Sequence, residues 1–312
     1  MLTEEMQFMT EEELLQAALR RSLEEIPQQT ALVGPLQPLA SLIQTSQPGS
    51  ILRAKLPLLL GVFPHFRRIR GDGNCFYRAF LAAMLEDLCK DPSKGAAMLS
   101  ALEEWQRTLA HGVLPGDHDV YLHRHYLASV NQGYQHLKTM MQQIVGGQLQ
   151  WEGVEEALNG SRLDEAVLHF LRTITAAQML MRTDYYDEFL GLGKFGESNV
   201  PKMVITEVLP MGREADHHQM QALVAALPIR LKVLDAAGSR PYVETFEPVA
   251  PSASSSADGA SNALESANGT AAAPAAHVLQ IWLIHKPSHY DVVLPAEAYR
   301  DIEHVEDAGV HF

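Results

Sequence analysis

Apolar residues recur along this chain with two periods. Over Phe76–Leu88, Asp164–Met181 and His218–Leu227 they return every three to four positions, and these stretches are the clearest helices. Ile229–Leu234 (IRLKVL) and Tyr242–Phe246 are β-prone. His277–Ile284 (HVLQIWLI) is a near-continuous apolar run, which suits a strand buried on both faces. A short turn, Lys286-Pro287-Ser288, leads to a second strand, His289–Pro295 (HYDVVLP). Residues 10–26 read as a separate amphipathic helix, with Thr10 as N-cap and Glu11, Glu12 and Glu13 favourably placed against the helix dipole. Pro, Gln, Ser and Thr dominate between Pro27 and Gly49, which reads as a linker. From about 250 to 276 the chain is Ala/Ser/Gly-rich with almost no large apolar side chain, so it cannot repay the entropy of being ordered. The expected organisation is a helix within 1–30, a linker over 31–50, and a globular domain over 51–312 carrying a disordered insertion at about 250–276. No internal repeat is visible.

Composition narrows the function classes. The 312 residues, 46% of them hydrophobic, are ample for a buried core. A net charge of -14 repels polyphosphates, so nucleic acid is not an expected partner. The longest apolar stretch, Leu56–Phe66, is broken by Pro57 and Pro64 and falls short of the roughly 20 residues of a membrane span. Met1–Met9 is polar and acidic, unlike a signal peptide. The two cysteines, Cys75 and Cys89, would lie about 21 Å apart on one helix, and a disulfide needs Cα atoms within about 7 Å. Unpaired thiols fit a reducing compartment, so the expectation is a cytoplasmic protein able to reside in the nucleus as well.

Candidate chemistry centres on RIRGDGNCFYRAF. Gly71, Asp72, Gly73 and Asn74 form a tight loop, and helical periodicity begins just after it, so Cys75 falls at the first helical turn. A helix N-terminus favours a thiolate nucleophile, and a glycine-containing loop can turn its N–H groups toward an oxyanion. A turn followed by a buried structural cysteine has the same pattern, and spacing alone leaves both readings open. A thiolate enzyme also needs a base. Of fourteen histidines, His289 stands out because Asp291 lies two residues on, on the same face of a strand, where it can orient the imidazole. Alone, a surface His-x-Asp pair is the default reading. His285 is the second candidate base. His217 and His218, beside Asp216, precede a helix and are expected to cap it or pack on the sheet. Without C-x-x-C or H-E-x-x-H spacing, no metal site and no cofactor is expected.

GDGNCFYRA resembles the active-site loop of the ovarian-tumour-type (OTU) cysteine deubiquitinases, and of their otubain branch in particular. TDYYDEFL at 183–190, EADHHQMQALVAALPIRLKVL within Glu207–Leu234, and HKPSHYDVVLP are similar to further otubain segments, in the right order, over roughly residues 55 to 295. The resemblance implies an α+β, papain-like fold with a central mixed β-sheet flanked by helical regions. It implies Cys75 as nucleophile, His289 as general base, Asp291 as orienting acid, and Asp72 as a residue of the oxyanion loop Asp72, Gly73, Asn74 and Cys75. It also implies ubiquitin and polyubiquitin chains, of the compact, proteasome-directing type, as partners. The long insertion before the last strand pair departs from the pattern and bears on substrate access.

EEELLQAALRRSLEE at the N-terminus resembles a ubiquitin-interacting motif. Leu15, Ala18, Leu19 and Ser22 share one helical face, and small Ala18 would let the helix approach an apolar patch closely. A solvated or intramolecular amphipathic helix has the same pattern. Three functions stay open at this level: a thiol isopeptidase acting on ubiquitin conjugates, a non-catalytic ubiquitin-binding regulator of a ubiquitin-conjugating enzyme, and a papain-like protease of ordinary peptides.

Overall fold

A computed structural model describes residues 30–46, 51–110, 120–192, 196, 198–237, 242–248 and 278–299. The ubiquitin-interacting-motif-like helix with Leu15, Ala18, Leu19 and Ser22 lies outside the described residues, and so does the insertion at 250–276.

Six strands form one mixed sheet: β1 (Val33–Pro38), β2 (His65–Ile69), β3 (Ile229–Asp235), β4 (Tyr242–Phe246), β5 (Leu279–Lys286) and β6 (His289–Leu294). Their spatial order is β1-β2-β6-β5-β3-β4, with β3 and β5 parallel and every other pair antiparallel. Helices cover both faces, as the resemblance implies. On one face sit α3 (Cys75–Lys90), α4 (Gly95–Ala110), α5 (Val120–Val145), α6 (Trp151–Leu158), α7 (Ser161–Met181) and α10 (His217–Ala226). On the other lie α1 (Leu39–Thr45) and α2 (Ile51–Leu59).

The strands show why both faces must be covered. Along β5, Ile281 and Leu283 enter the larger core while Trp282 and Ile284 enter the smaller one, so the period-two alternation is apolar on both sides. A third cluster, of Ala176, Met179, Tyr186, Val200, Val204 and Val208, joins α7 to α8 (Thr183–Leu190) and α9 (Val200–Met203). One π-helical turn, Val204–Val208, follows α9.

The linker expected over 31–50 needs correction: Val33–Pro38 is a sheet strand and Leu39–Thr45 a helix. Pro35 and Pro38 hid the strand, since proline cannot donate to a ladder. The structure accommodates them because β1 is an edge strand whose register shifts between Val33 and Leu36. Leu32, Val33, Leu39 and Leu42 are buried, which is what orders the segment. Strand β2 was hidden by its arginines. Phe66 fills the smaller core, while Arg67 is buried through a 2.8 Å bond to Glu86 on α3 and lies 4.2 Å from the ring centroid of Trp151.

Candidate active site

Helix α3 begins at Cys75, with Asn74 at the N-cap. The Asn74 side chain makes no cap bond. Its Oδ1 instead accepts from Arg172 Nη2 (2.8 Å) and from the Gly212 N–H (2.9 Å). Gly73 has φ +74, and a Cβ there would stand 2.1 Å from the Gly212 carbonyl oxygen, so both conformation and space demand glycine. The loop before the nucleophile is therefore clasped to the segment around Gly212.

Two buried arginines complete that clasp. Arg172 on α7 donates through Nη2 to Gly73 O (3.2 Å) and Arg213 O (2.6 Å) as well, and through Nη1 to Val208 O (2.9 Å). Its guanidinium lies 4.4 Å from the ring centroid of Tyr77. Arg78 grips Asp164 bidentately at 2.9 and 2.8 Å, and its Nη1 donates to Asp72 Oδ1 at 2.8 Å. Asp72 Oδ1 also accepts the Asn74 N–H at 3.1 Å. Of the four N–H groups expected to line an oxyanion hole, that of Asn74 thus already has a partner.

His289 and Asp291 share one face of β6, and His289 Nε2 lies 2.8 Å from Asp291 Oδ1. That bond leaves Nδ1 for the thiol side. A Cβ on Gly71 would stand 3.3 Å from Nδ1, so the loop backs directly onto the ring. Asp291 is completely buried, and its two oxygens are satisfied: Oδ1 also accepts the Ile69 N–H (2.8 Å), and Oδ2 accepts from Lys286 Nζ (2.5 Å). Burial works against a charged imidazole. The hydrogen bonds to Asp291 and to Cys75 outweigh it and raise the His289 pKa to about 9. For Asp291, burial alone would push the carboxyl up; the bond from His289 and the charge of Lys286 hold it below its ordinary value.

The other candidates have different partners. His285 Nδ1 bonds Asp235 Oδ1 at 2.9 Å, and its ring stacks on Tyr290. Asp216 is the N-cap of α10 in a capping box with Gln219. His217 pairs with Glu244 (2.9 Å) and packs on Phe246, both on β4. Cys89, at the far end of α3, is half-buried; burial and the nearby Glu86 carboxylate push its thiol up to about 11. Both cysteines are free.

Sequence reasoning missed Arg78, Arg172 and Lys286. Arg78 lies three residues after Cys75, one helical turn on, which was a usable signal. Nothing in the periodicity of α7 marks Arg172, and Lys286 reads only as a turn residue.

Comparisons with known proteins bear on the family and the fold. The family model described as Peptidase C65 Otubain matches residues 25–295. The OVARIAN TUMOR DOMAIN-containing deubiquitinating enzyme 1 of Arabidopsis thaliana is 28% identical over 286 residues, covering 87% of this chain and 83% of its own. The ubiquitin thioesterase otubain-like protein of Caenorhabditis elegans is 26% identical over 285 residues, covering 91% and 88%. The solved structure of h/ceOTUB1 with ubiquitin aldehyde and UBC13~Ub superimposes with a TM-score of 0.68 at 25% identity, covering 92% of this chain and 99% of that one.

Proposed function

The chain belongs to the otubain family of C65 peptidases, and on that premise we propose how it works as a thiol-dependent deubiquitinating enzyme: Cys75 is the nucleophile, His289 the general base and acid, and Asp291 the acid that orients it. The observation that carries this assignment is the 2.8 Å bond from His289 Nε2 to the fully buried Asp291, together with the hydrogen bond between the imidazole and Cys75.

Each step uses a group on the page. His289 Nδ1 holds the proton given up by the Cys75 thiol, and the resulting thiolate attacks the carbonyl carbon of the isopeptide bond. The C–N bond breaks as the imidazolium returns that proton to the departing lysine amine. A water deprotonated by His289 then hydrolyses the thioester, releasing ubiquitin with a free carboxylate. The loop Asp72, Gly73, Asn74 and Cys75 supplies the N–H groups for the oxyanion, with Gly73 O and the Asn74 side chain anchored by Arg172. The Asn74 N–H would join once it leaves Asp72 Oδ1.

Ubiquitin and ubiquitin chains are the proposed partners, together with ubiquitin-conjugating enzymes, because the similar h/ceOTUB1 structure holds ubiquitin aldehyde and UBC13~Ub. The helix at Leu15, Ala18, Leu19 and Ser22 would add a second ubiquitin contact and raise the effective concentration of long chains. The compact, proteasome-directing linkage and a cytoplasmic location belong to the same proposal. The deciding experiment is incubation with ubiquitin bearing a C-terminal thiol-reactive group. Covalent capture at Cys75 supports the enzyme. Binding without capture supports a regulator of a ubiquitin-conjugating enzyme, and no interaction leaves a protease of ordinary peptides.

A further inference from the structure

A carboxylate sealed from water is costly unless its charge is countered at all times. Asp291 has no exposed surface, and His289 counters it only while the imidazole is protonated. In the cycle above, His289 gives its proton to the leaving amine, and at that moment Asp291 needs another cation. Lys286 stands there. Its Nζ donates to Asp291 Oδ2, the oxygen that His289 does not use, and its side chain is only 15% exposed.

The hairpin makes this placement obligatory. Lys286 and His289 are directly opposed across β5 and β6, flanking a two-residue turn, Pro287-Ser288. Opposed residues project from the same sheet face, and Asp291, two residues beyond His289, shares it. The cation, the base and the acid are thus aligned by strand register alone. His285, one residue earlier, is on the opposite face and meets Asp235 instead. Among the described residues, the charged and titratable groups joined to this cluster by a hydrogen bond are Lys286 on β5, His289 and Asp291 on β6 and, beyond the imidazole, Cys75 on α3; the backbone N–H of Ile69 on β2 binds the same carboxylate.

We propose that Lys286 is a positioning residue of the catalytic centre, a permanent counter-cation that fixes the Asp291 carboxylate and keeps His289 able to release its proton. The inference rests on the deubiquitinase reading of the site. Its physical content is a competition: with Lys286 present, the negative charge of Asp291 is shared between an ammonium and an imidazolium. Without it, the imidazolium becomes the sole counter-charge and holds its proton too tightly, while the carboxylate gains a rotation that misaligns the ring.

The test compares wild type with Lys286→Met and Lys286→Arg on a single-ubiquitin fluorogenic reporter across pH, with ubiquitin affinity measured in a Cys75→Ala background. Lys286→Met should lose about 10-fold in kcat, the scale of a small misplacement of a catalytic group, with KM and ubiquitin affinity unchanged. The alkaline limb of its rate profile should move to higher pH, and Lys286→Arg should recover most of the rate. Wild-type kcat and pH profile in Lys286→Met would overturn the proposal, as would a loss confined to KM or an Arg variant no better than Met. His289 is also titrated by NMR in wild type and Lys286→Met, a measurement that needs no turnover. Should wild type fail to cleave the reporter or be captured at Cys75, the deubiquitinase reading falls. The NMR titration still decides for Lys286: an upward shift of the His289 midpoint supports it, and an unmoved midpoint rejects it.

Discussion

Arg172, fully buried on α7, donates a 2.8 Å hydrogen bond to the side chain of Asn74, the residue immediately before Cys75. The same guanidinium reaches backbone carbonyls at Gly73, Arg213 and Val208, so one side chain clasps the active-site loop to the segment around Gly212. Lysine has the charge but not the planar fork. Arg172→Lys is expected to lower stability by about 3 kcal/mol, as for other disrupted buried polar networks, and to lower kcat in the fraction that remains folded. Denaturant midpoints and active-site-titrated rates check this; an unchanged midpoint would show that the clasp carries no weight.

The two cysteines should behave oppositely. Cys75→Ala should abolish chain cleavage and leave ubiquitin binding largely intact, because the thiol supplies chemistry rather than contact area. Cys89→Ala should be nearly silent, since burial and Glu86 push that thiol up to about 11. Turnover lost in a folded Cys89→Ala protein and kept in Cys75→Ala would reverse the assignment.

The His289 pKa sets an alkaline limit. Burial opposes its charge, but Asp291 and Cys75 outweigh burial and raise it to about 9. A raised pKa contributes stability that is fully present below the ordinary histidine value and is lost as pH rises through about 9. Rate and stability should therefore fall together on the alkaline side. In Asp291→Asn the anion is gone while burial and Lys286 remain, so the alkaline limb should move down and the rate should drop. His289→Ala should cost orders of magnitude more. Profiles of kcat/KM against pH, with thermal melts at the same pH values, test the sign.

Gly71 offers a gentler probe of the same ring. An added methyl would stand 3.3 Å from His289 Nδ1, so the imidazole must give way by a few tenths of an ångström. Gly71→Ala is expected to reduce kcat by about 10-fold with the melting temperature nearly unchanged. Equal rates for the two proteins would mean that the ring position is not critical.

Ser288 closes the β5–β6 turn at φ 53, a left-handed conformation that costs a non-glycine residue about 1 kcal/mol. Part of that is returned as lost chain entropy when glycine is introduced. Ser288→Gly should thus be neutral to slightly stabilising with full activity, while Ser288→Val, β-branched at a positive φ, should destabilise the protein. Urea midpoints for the two variants should fall in that order; the reverse order would remove the strain argument.

The sequence by itself determined what repeats locally or depends on a few adjacent residues. Helices α3, α7 and α10 were legible because apolar residues recur along each every three to four positions. Strands β3 to β6 were legible because β-branched, aromatic and other apolar residues make up most of each, and β5 is apolar on both faces. His289 and Asp291 were legible as a pair because strand geometry forces positions two apart onto one face. The edge strand β1, disguised by prolines, and β2, disguised by arginines, needed their neighbours to explain them. Only the tertiary structure could place Arg172 beneath Asn74, 98 positions away in the chain, or set the Ile69 N–H on Asp291, 222 positions away. A buried charge is stable only where partners from distant segments converge. No local pattern records that convergence, so the residues that hold the candidate site in place emerge only once the sheet and its covering helices have closed.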